Sequence, residues 1–242
     1  MLMKTKINLI LLLLLLVLSA GMAAQSLINV PYDYPVKPGS EQWAAFTSGQ
    51  QMVDACQIPS DILSKLSTKA LAETCLNYPL YFEYTAYNSE RDGINKVISG
   101  FNGLQELAKR SDGASALLGL YEKVSVVPNS LLKKSSEDQD LLRVGYLELL
   151  LSNNLFFEGL TNKDLVKLKQ AVINKYETKV NAKGTYSMFS IQKSLLLGAK
   201  IIQKTDTLSR SSLRQATISR FIDLYERSDP QLFTDISRIL CE

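Results

Sequence analysis

The stretch SEDQDLLRVGYLELLLS, residues Ser136–Ser152, decides the fold class of this 242-residue chain. Ser136 with Gln139 three positions later resembles a capping box, which marks the start of a helix. Apolar residues then go nearly all the way round a helix of 3.6 residues per turn, which predicts a helix buried on every side. The apolar positions are 141, 142, 144, 146, 147, 149, 150 and 151.

Segments on both sides carry further helix signals. Ser40 is a predicted N-cap for a helix that ends near Ala55, and Ser67 is a predicted N-cap for another. Asn102 with Gln105 reads as a capping box, and Thr161 opens a long helix. No two adjacent runs of alternating apolar and polar residues are joined by Asn-Gly or Asp-Gly.

These observations predict an all-α fold of about nine helices. It is either an irregular multi-helix bundle or a short solenoid-like helical stack. Residues 24–39 contain three prolines and are predicted to form an extended arm. Residues 40–242 are predicted to form a single all-α domain, with a possible subdivision near 124–136.

The N-terminus has the pattern of a secretory signal peptide. Two lysines precede the apolar run Ile7–Leu18, and small residues follow over Ser19–Ala24. We predict a signal peptide over residues 1–23, with cleavage after Ala23 or, alternatively, after Ala24. An uncleaved anchor helix is the competing interpretation. We therefore predict a periplasmic or extracellular protein. It is not predicted to be a lipoprotein, because no cysteine lies directly after the apolar run, where the lipid would be attached.

Composition excludes several classes of protein. The chain has 27 Lys+Arg, 24 Asp+Glu and no His. Electrostatic nucleic-acid binding is excluded, because such proteins concentrate positive charge to neutralise phosphates. The lack of histidine removes every triad and metal site built on that residue. We therefore expect no metal, no organic cofactor and no nucleic-acid partner. No segment after the signal peptide is long and apolar enough to span a membrane.

Five short segments of the N-terminal half resemble a known group of sequences. They are Tyr34–Trp43 (YPVKPGSEQW), Gln57-Ile58-Pro59, Thr74–Leu80 (TCLNYPL), Ala86-Tyr87-Asn88 and Phe101–Leu107 (FNGLQEL). Together they are similar to uncharacterised secreted proteins of gut and oral Bacteroidetes, over residues 34–110. The resemblance implies a secreted bacterial context and no particular chemistry.

The segment Tyr78–Tyr87, YPLYFEYTAY, holds five aromatic residues in ten positions, and we call it the tyrosine segment. In a helix beginning after Pro79, these rings would span more than one face. Exposed tyrosines offer a large apolar area with a polar tip, as binding surfaces for peptides and sugars do. We therefore predict that Tyr81, Tyr84 and Tyr87 bind a ligand. The alternative is that the rings wedge between neighbouring helices.

Three other groups of residues have a possible chemistry. Glu83 and Glu158 lie among aromatic residues, where a carboxyl pKa rises, and are the candidate pair for glycoside hydrolysis. Cys56 and Cys75 are predicted to form a disulfide in an exported protein, with two buried thiols as the alternative. Ser-x-x-Lys occurs at Ser130–Lys133 and Ser190–Lys193, which is about the number expected by chance.

The sequence favours an exported, non-catalytic helical protein that binds a protein or glycan outside the inner membrane. A cell-envelope glycan hydrolase using paired carboxylates is the alternative. A structural or assembly factor of the cell envelope is the third possibility.

Overall fold

The computed structural model describes residues 27–126, 134–182, 186–205, 212–227 and 230–242. The side chains of 134–141 and of Ser212 are not part of that description. The predicted signal peptide, residues 24–26 of the arm and most of the possible subdivision near 124–136 lie outside these ranges.

Within the described ranges the chain forms thirteen α-helices and two short 3₁₀ helices, with no β-strand, so the all-α prediction is confirmed. The α-helices are α1 (Glu41–Ala44), α2 (Gly49–Ala55), α3 (Ser60–Leu63), α4 (Thr68–Leu76), α5 (Glu90–Gly100), α6 (Asn102–Lys109), α7 (Gly113–Lys123), α8 (Lys134–Ser152), α9 (Asn154–Phe157), α10 (Asn162–Asn181), α11 (Met188–Thr205), α12 (Ser212–Leu224) and α13 (Pro230–Cys241). The 3₁₀ helices are Tyr81–Ala86 and Tyr225–Arg227. The predicted number of about nine was too low, because several helices are only four residues long.

Several predicted helix starts are confirmed by their capping hydrogen bonds. Ser40 accepts from the backbone N–H of Trp43, and Ser67 accepts from that of Ala70. Thr161 and Asp164 form a complete capping box at the start of α10. Each such cap satisfies a backbone N–H that has no partner within the helix.

Two predicted helix boundaries were wrong. The helix predicted from Ser40 to Ala55 is interrupted, because Ser48 caps a second helix and accepts from the N–H of Gln51. Asn102 does not cap α6. Its side chain instead accepts from the N–H of Ile58 and donates to the carbonyl of the same residue, so it ties α6 to the loop after α2.

The centre of the molecule is built on α8 and α11. Residues 144–151 of α8 are buried all round, as the sequence predicted from their composition, and residues 192–199 of α11 are equally buried. Helix α11 contacts α8, α10, α12 and α13. The arrangement is therefore an irregular bundle, because in a solenoid each repeat contacts only its neighbours.

The arm contains no helix over residues 27–39, bends at Val30 and at Pro35-Val36, and ends in a turn at Pro38-Gly39; it lies against the N-terminal helices. Ile28 forms a parallel bridge with Leu66, and its carbonyl accepts from the N–H of Ser67. The N–H of Tyr32 donates to the hydroxyl of Thr74 at 2.8 Å, and the hydroxyl of Tyr34 donates to the carbonyl of Thr74 at 3.1 Å. The buried ring of Tyr34 anchors the arm to the core.

Candidate functional site

The tyrosine segment forms a 3₁₀ helix over Tyr81–Ala86 rather than an α-helix. Its aromatic rings divide between the core and the surface. Tyr78 and Tyr84 are buried, Tyr81 is half-buried, and Tyr87 and Phe82 are each 43% exposed. Tyr84 was therefore wrongly predicted as a binding residue, because the tight turn of the 3₁₀ helix directs its ring into the core. Tyr87 remains available to a ligand.

A close backbone contact fixes where this segment lies. Gly93 of α5 faces the carbonyl oxygen of Tyr84, and a Cβ at position 93 would be only 2.2 Å from that oxygen. The ring of Tyr84 then stacks on Tyr146 of α8, with centroids 6.4 Å apart. The absence of a side chain at Gly93 allows α5 to approach the tyrosine segment.

A groove of about 420 Å³ runs beside the exposed part of this segment, and we call it the aromatic groove. One wall comes from α2 and the residues after it, another from the tyrosine segment, and the third from α5. The polar and aromatic residues that line it are Gln50, Asp54, Gln57, Tyr78, Glu83, Tyr87, Lys96 and Ser99.

Gln57 holds two walls of the groove together. Its side-chain amide donates to the carbonyls of Val53 at 2.8 Å and Gly100 at 3.0 Å, and its oxygen accepts from the N–H of Asn102 at 3.0 Å. Tyr78 is stacked on Phe101 with ring centroids 4.0 Å apart and planes 11° from parallel. These contacts give the groove a fixed floor before any ligand arrives.

The charged groups of the groove have few partners. Asp54 accepts a hydrogen bond from Gln50 at 2.8 Å. Within the described ranges, the Glu83 carboxylate and the Lys96 ammonium form no ion pair. Burial raises the pKa of the Glu83 carboxyl above its ordinary value. The groove therefore offers a carboxylate, a cation and an amide to a hydroxyl-rich or charged ligand.

The two predicted catalytic carboxylates do not share a site. Glu83 lines the aromatic groove, whereas Glu158 follows α9 and pairs with Lys204 of α11 at 2.8 Å. Asp54 is the carboxylate that lines the groove with Glu83, and it was not among the predicted carboxylates. Asp54 has no aromatic neighbours in the sequence, so the criterion used for Glu83 and Glu158 could not find it.

The predicted disulfide is not formed. Cys56, which follows α2, and Cys75 in α4 are free thiols with no exposed surface. Burial raises the pKa of Cys56 to about 11 and raises that of Cys75 as well. Both residues pack as small apolar side chains, which was the alternative interpretation.

A buried ionic cluster joins four helices in the centre of the bundle, and it was not among the predicted sites. Lys179 of α10 donates to both carboxylate oxygens of Glu148 in α8, at 2.9 and 2.8 Å, and to the hydroxyl of Ser194 at 2.9 Å. Ser194 of α11 and Tyr121 of α7 also donate to Glu148, at 2.6 and 3.1 Å. We call these four residues the buried ionic cluster.

The buried ionic cluster contains a serine and a lysine in contact, but the geometry favours a structural role. Ser194 and the side chain of Lys179 have no exposed surface, so no substrate can reach them in this conformation. Burial lowers the pKa of Lys179, and the Glu148 carboxylate opposes that shift. The nearby Ser190–Lys193 motif is not a pair either, because Lys193 binds Glu90 at 2.6 Å. The other motif, Ser130–Lys133, lies outside the described residues.

Among the described residues, no cluster of three Cys, Asp or Glu side chains is placed to hold a metal ion, and no helix has the length and apolar composition needed to cross a bilayer.

The chain matches no protein-family model, and no curated protein and no solved structure is significantly similar to it. The candidate functional site is therefore supported by geometry alone, and it is the aromatic groove.

Proposed function

We propose that this chain is an exported, non-catalytic binding protein, and that the aromatic groove binds a glycan outside the inner membrane. The observation that carries the proposal is the exposed ring of Tyr87 in a groove lined by Gln50, Asp54 and Glu83. An aromatic ring can cover the apolar face of a sugar, while amides and carboxylates bind its hydroxyl groups.

A glycan fits this groove better than a protein does. Its volume of about 420 Å³ lies within the range of pockets for small ligands. A stable protein interface instead buries roughly 1,200–2,000 Å² and has an apolar centre. The exposed ring of the groove is that of Tyr87, and the other side chains of the groove are largely polar.

A glycan hydrolase remains the second candidate, because Glu83 and Asp54 both line the groove. A general acid in this chemistry needs a raised carboxyl pKa, and burial raises that of Glu83. Asp54 would then serve as the second carboxylate. We favour binding because Asp54 is held by Gln50, which occupies one of its oxygens.

Replacing Tyr87 by alanine is expected to weaken glycan binding by about twofold to tenfold, since an aromatic contact contributes roughly 0.5–1.5 kcal/mol. The melting temperature should change by less than about 2 °C, because the ring is exposed. Binding is measured on an oligosaccharide array that includes peptidoglycan fragments, followed by titration of the ligands that bind. Phe189→Ala is the matched control, because Phe189 is exposed outside the groove.

Two results would contradict this proposal. One is that no oligosaccharide binds, or that Tyr87→Ala and Phe189→Ala weaken binding equally. The other is release of new reducing ends from a bound polysaccharide that stops in Glu83→Gln, which would make the protein a hydrolase.

Export by the N-terminal signal peptide is part of the proposal. The protein isolated from its native cells should begin at Ala24 or Gln25, because small residues occupy the positions that signal peptidase requires. Intact mass spectrometry of the purified protein measures this start. A membrane-bound form that retains Met1 would show an uncleaved anchor instead.

A further inference from the structure

A second pocket of about 390 Å³ lies among α5, α8, α11 and α12, and none of its lining residues belongs to the aromatic groove. Its floor is apolar and is formed by the buried side chains of Ile94, Leu149 and Leu196. Charged and amide side chains surround this floor. A pocket with an apolar floor and a few polar groups is the usual form of a small-molecule site.

Two cations line this pocket without a carboxylate partner. Lys200 of α11 donates to the carbonyl of Ser152 at 2.5 Å and to the side-chain oxygen of Asn154 at 2.6 Å. The guanidinium of Arg91 in α5 donates to the carbonyl of Ile222 and lies 5.7 Å from the ring centre of Tyr225. Within the described part of the chain, neither side chain forms an ion pair.

The neutral partners of these cations leave donors available. The ammonium of Lys200 has three N–H groups; the two hydrogen bonds above use two of them, and the ammonium also lies 4.7 Å from the ring centre of Phe157, a weaker contact that an anion can replace. Asn95 also lines the pocket, and its side-chain oxygen accepts from Asn153 at 2.8 Å. Its amide N–H groups make no hydrogen bond within the described residues, so they can donate to a ligand.

We propose that this pocket binds a small hydroxylated organic anion, such as a sugar acid or a sugar phosphate. Arg91 and Lys200 would bind the anionic group, and Asn95 would bind a hydroxyl group. Hydrogen bonds between charged partners are roughly twice as strong as those between neutral groups. An anion between the two cations would also remove their mutual repulsion. This site is additional to the aromatic groove and does not depend on its function.

The charge state of Lys200 gives the site a pH dependence. The pKa of Lys200 is lowered to about 8, chiefly by burial; Glu158 opposes this shift, and the positive charges of Arg91 and Lys204 add to it. Asp223 is the carboxylate that lines the pocket. Below this pKa the lysine is charged in both the free and bound protein, so affinity is constant. Above it the free protein must first take up a proton, so affinity falls as pH rises.

The test is calorimetric titration of the full-length mature protein with glucuronate, glucose 6-phosphate and neutral glucose. We expect one site for glucuronate or glucose 6-phosphate, no binding of glucose, and weaker binding above pH 8 than at pH 7. Arg91→Gln and Lys200→Gln should each weaken the binding at least about tenfold, which is the loss expected for a charged hydrogen bond. Binding of glucuronate alone would show that the site takes a carboxylate, and binding of glucose 6-phosphate alone would show that it takes a phosphate.

Lys204→Gln is the matched control, because it removes the same charge one turn further along α11, outside the pocket. The affinity of the Lys204→Gln variant for the anion should stay within about twofold of that of the unmodified protein, since screening weakens the effect of a partly exposed charge. A thermal melt of each variant shows whether it is folded. The proposal is overturned if neither anion binds at about 10 mM, if glucose binds equally well, or if all three variants bind equally.

Discussion

Replacing Lys179 by methionine is expected to lower the free energy of unfolding by about 3–5 kcal/mol, the usual cost of removing one partner from a buried ion pair. The side chains of Lys179 and Glu148 have no exposed surface. Methionine nearly matches the length of lysine but leaves the Glu148 carboxylate without its cation. Denaturation in guanidinium chloride, followed by circular dichroism, measures the change.

A double-mutant cycle separates the ion pair from the packing around it. In the variant with both Glu148→Leu and Lys179→Met, no buried charge remains in the buried ionic cluster. We expect this variant to be more stable than Lys179→Met alone, because apolar side chains often replace a buried ion pair without loss. Lys167→Met is the control on the exposed side of α10, with an expected change within about 0.5 kcal/mol. A loss below about 1 kcal/mol for Lys179→Met would contradict the role given to this pair.

The sequence contained part of the information that defines the buried ionic cluster. Glu148 lies in a helix that is apolar nearly all round, so its carboxylate had to be buried and had to find a partner. Lys179 follows Tyr176 by three positions and continues the apolar stripe of α10. The pairing itself was out of reach, because residues 31 positions apart in different helices meet only once the bundle is packed.

Local sequence signals predicted where helices begin more reliably than they predicted which side chains are exposed. The cap at Thr161 depends on residues within one turn, and it was predicted correctly. Which tyrosines of this segment are exposed depends on whether it forms a 3₁₀ helix, with three residues per turn, or an α-helix, with 3.6. The residues within the segment do not determine which of the two forms. The packing of α5 against the carbonyl of Tyr84 is a tertiary constraint. The sequence therefore predicted that some of these rings reach the surface, but it could not show that Tyr87 is exposed and Tyr84 is buried.

The contact at Gly93 leads to the second large effect. Gly93→Ala is expected to lower the free energy of unfolding by about 1–3 kcal/mol or more, because the new methyl group would lie 2.2 Å from the backbone oxygen of Tyr84. Backbone atoms cannot swing aside as the end of a flexible side chain can. Helix α5 must therefore move away from the tyrosine segment, and thermal and chemical denaturation will record the cost.

Gly119→Ala is the matched control for this substitution. Gly119 lies in α7 with no atom within 4 Å of a Cβ placed there, so alanine should stabilise the helix by about 0.5–1 kcal/mol. Opposite signs for the two glycines would show that the close contact, and not helix propensity, controls the result. Equal stability of Gly93→Ala and the unmodified protein would show that α5 can shift freely.

The same variant also tests how the aromatic groove is held in shape. Gly93 does not line the groove, but α5 and the tyrosine segment form two of its walls. If glycan binding requires α5 and the tyrosine segment to keep their present relative position, binding should weaken in Gly93→Ala at temperatures where the variant is fully folded. Unchanged binding in a destabilised but folded variant would mean that the groove adapts to its ligand. Weaker binding would mean that the groove is preformed, because one methyl group outside it displaces Tyr87 relative to α5.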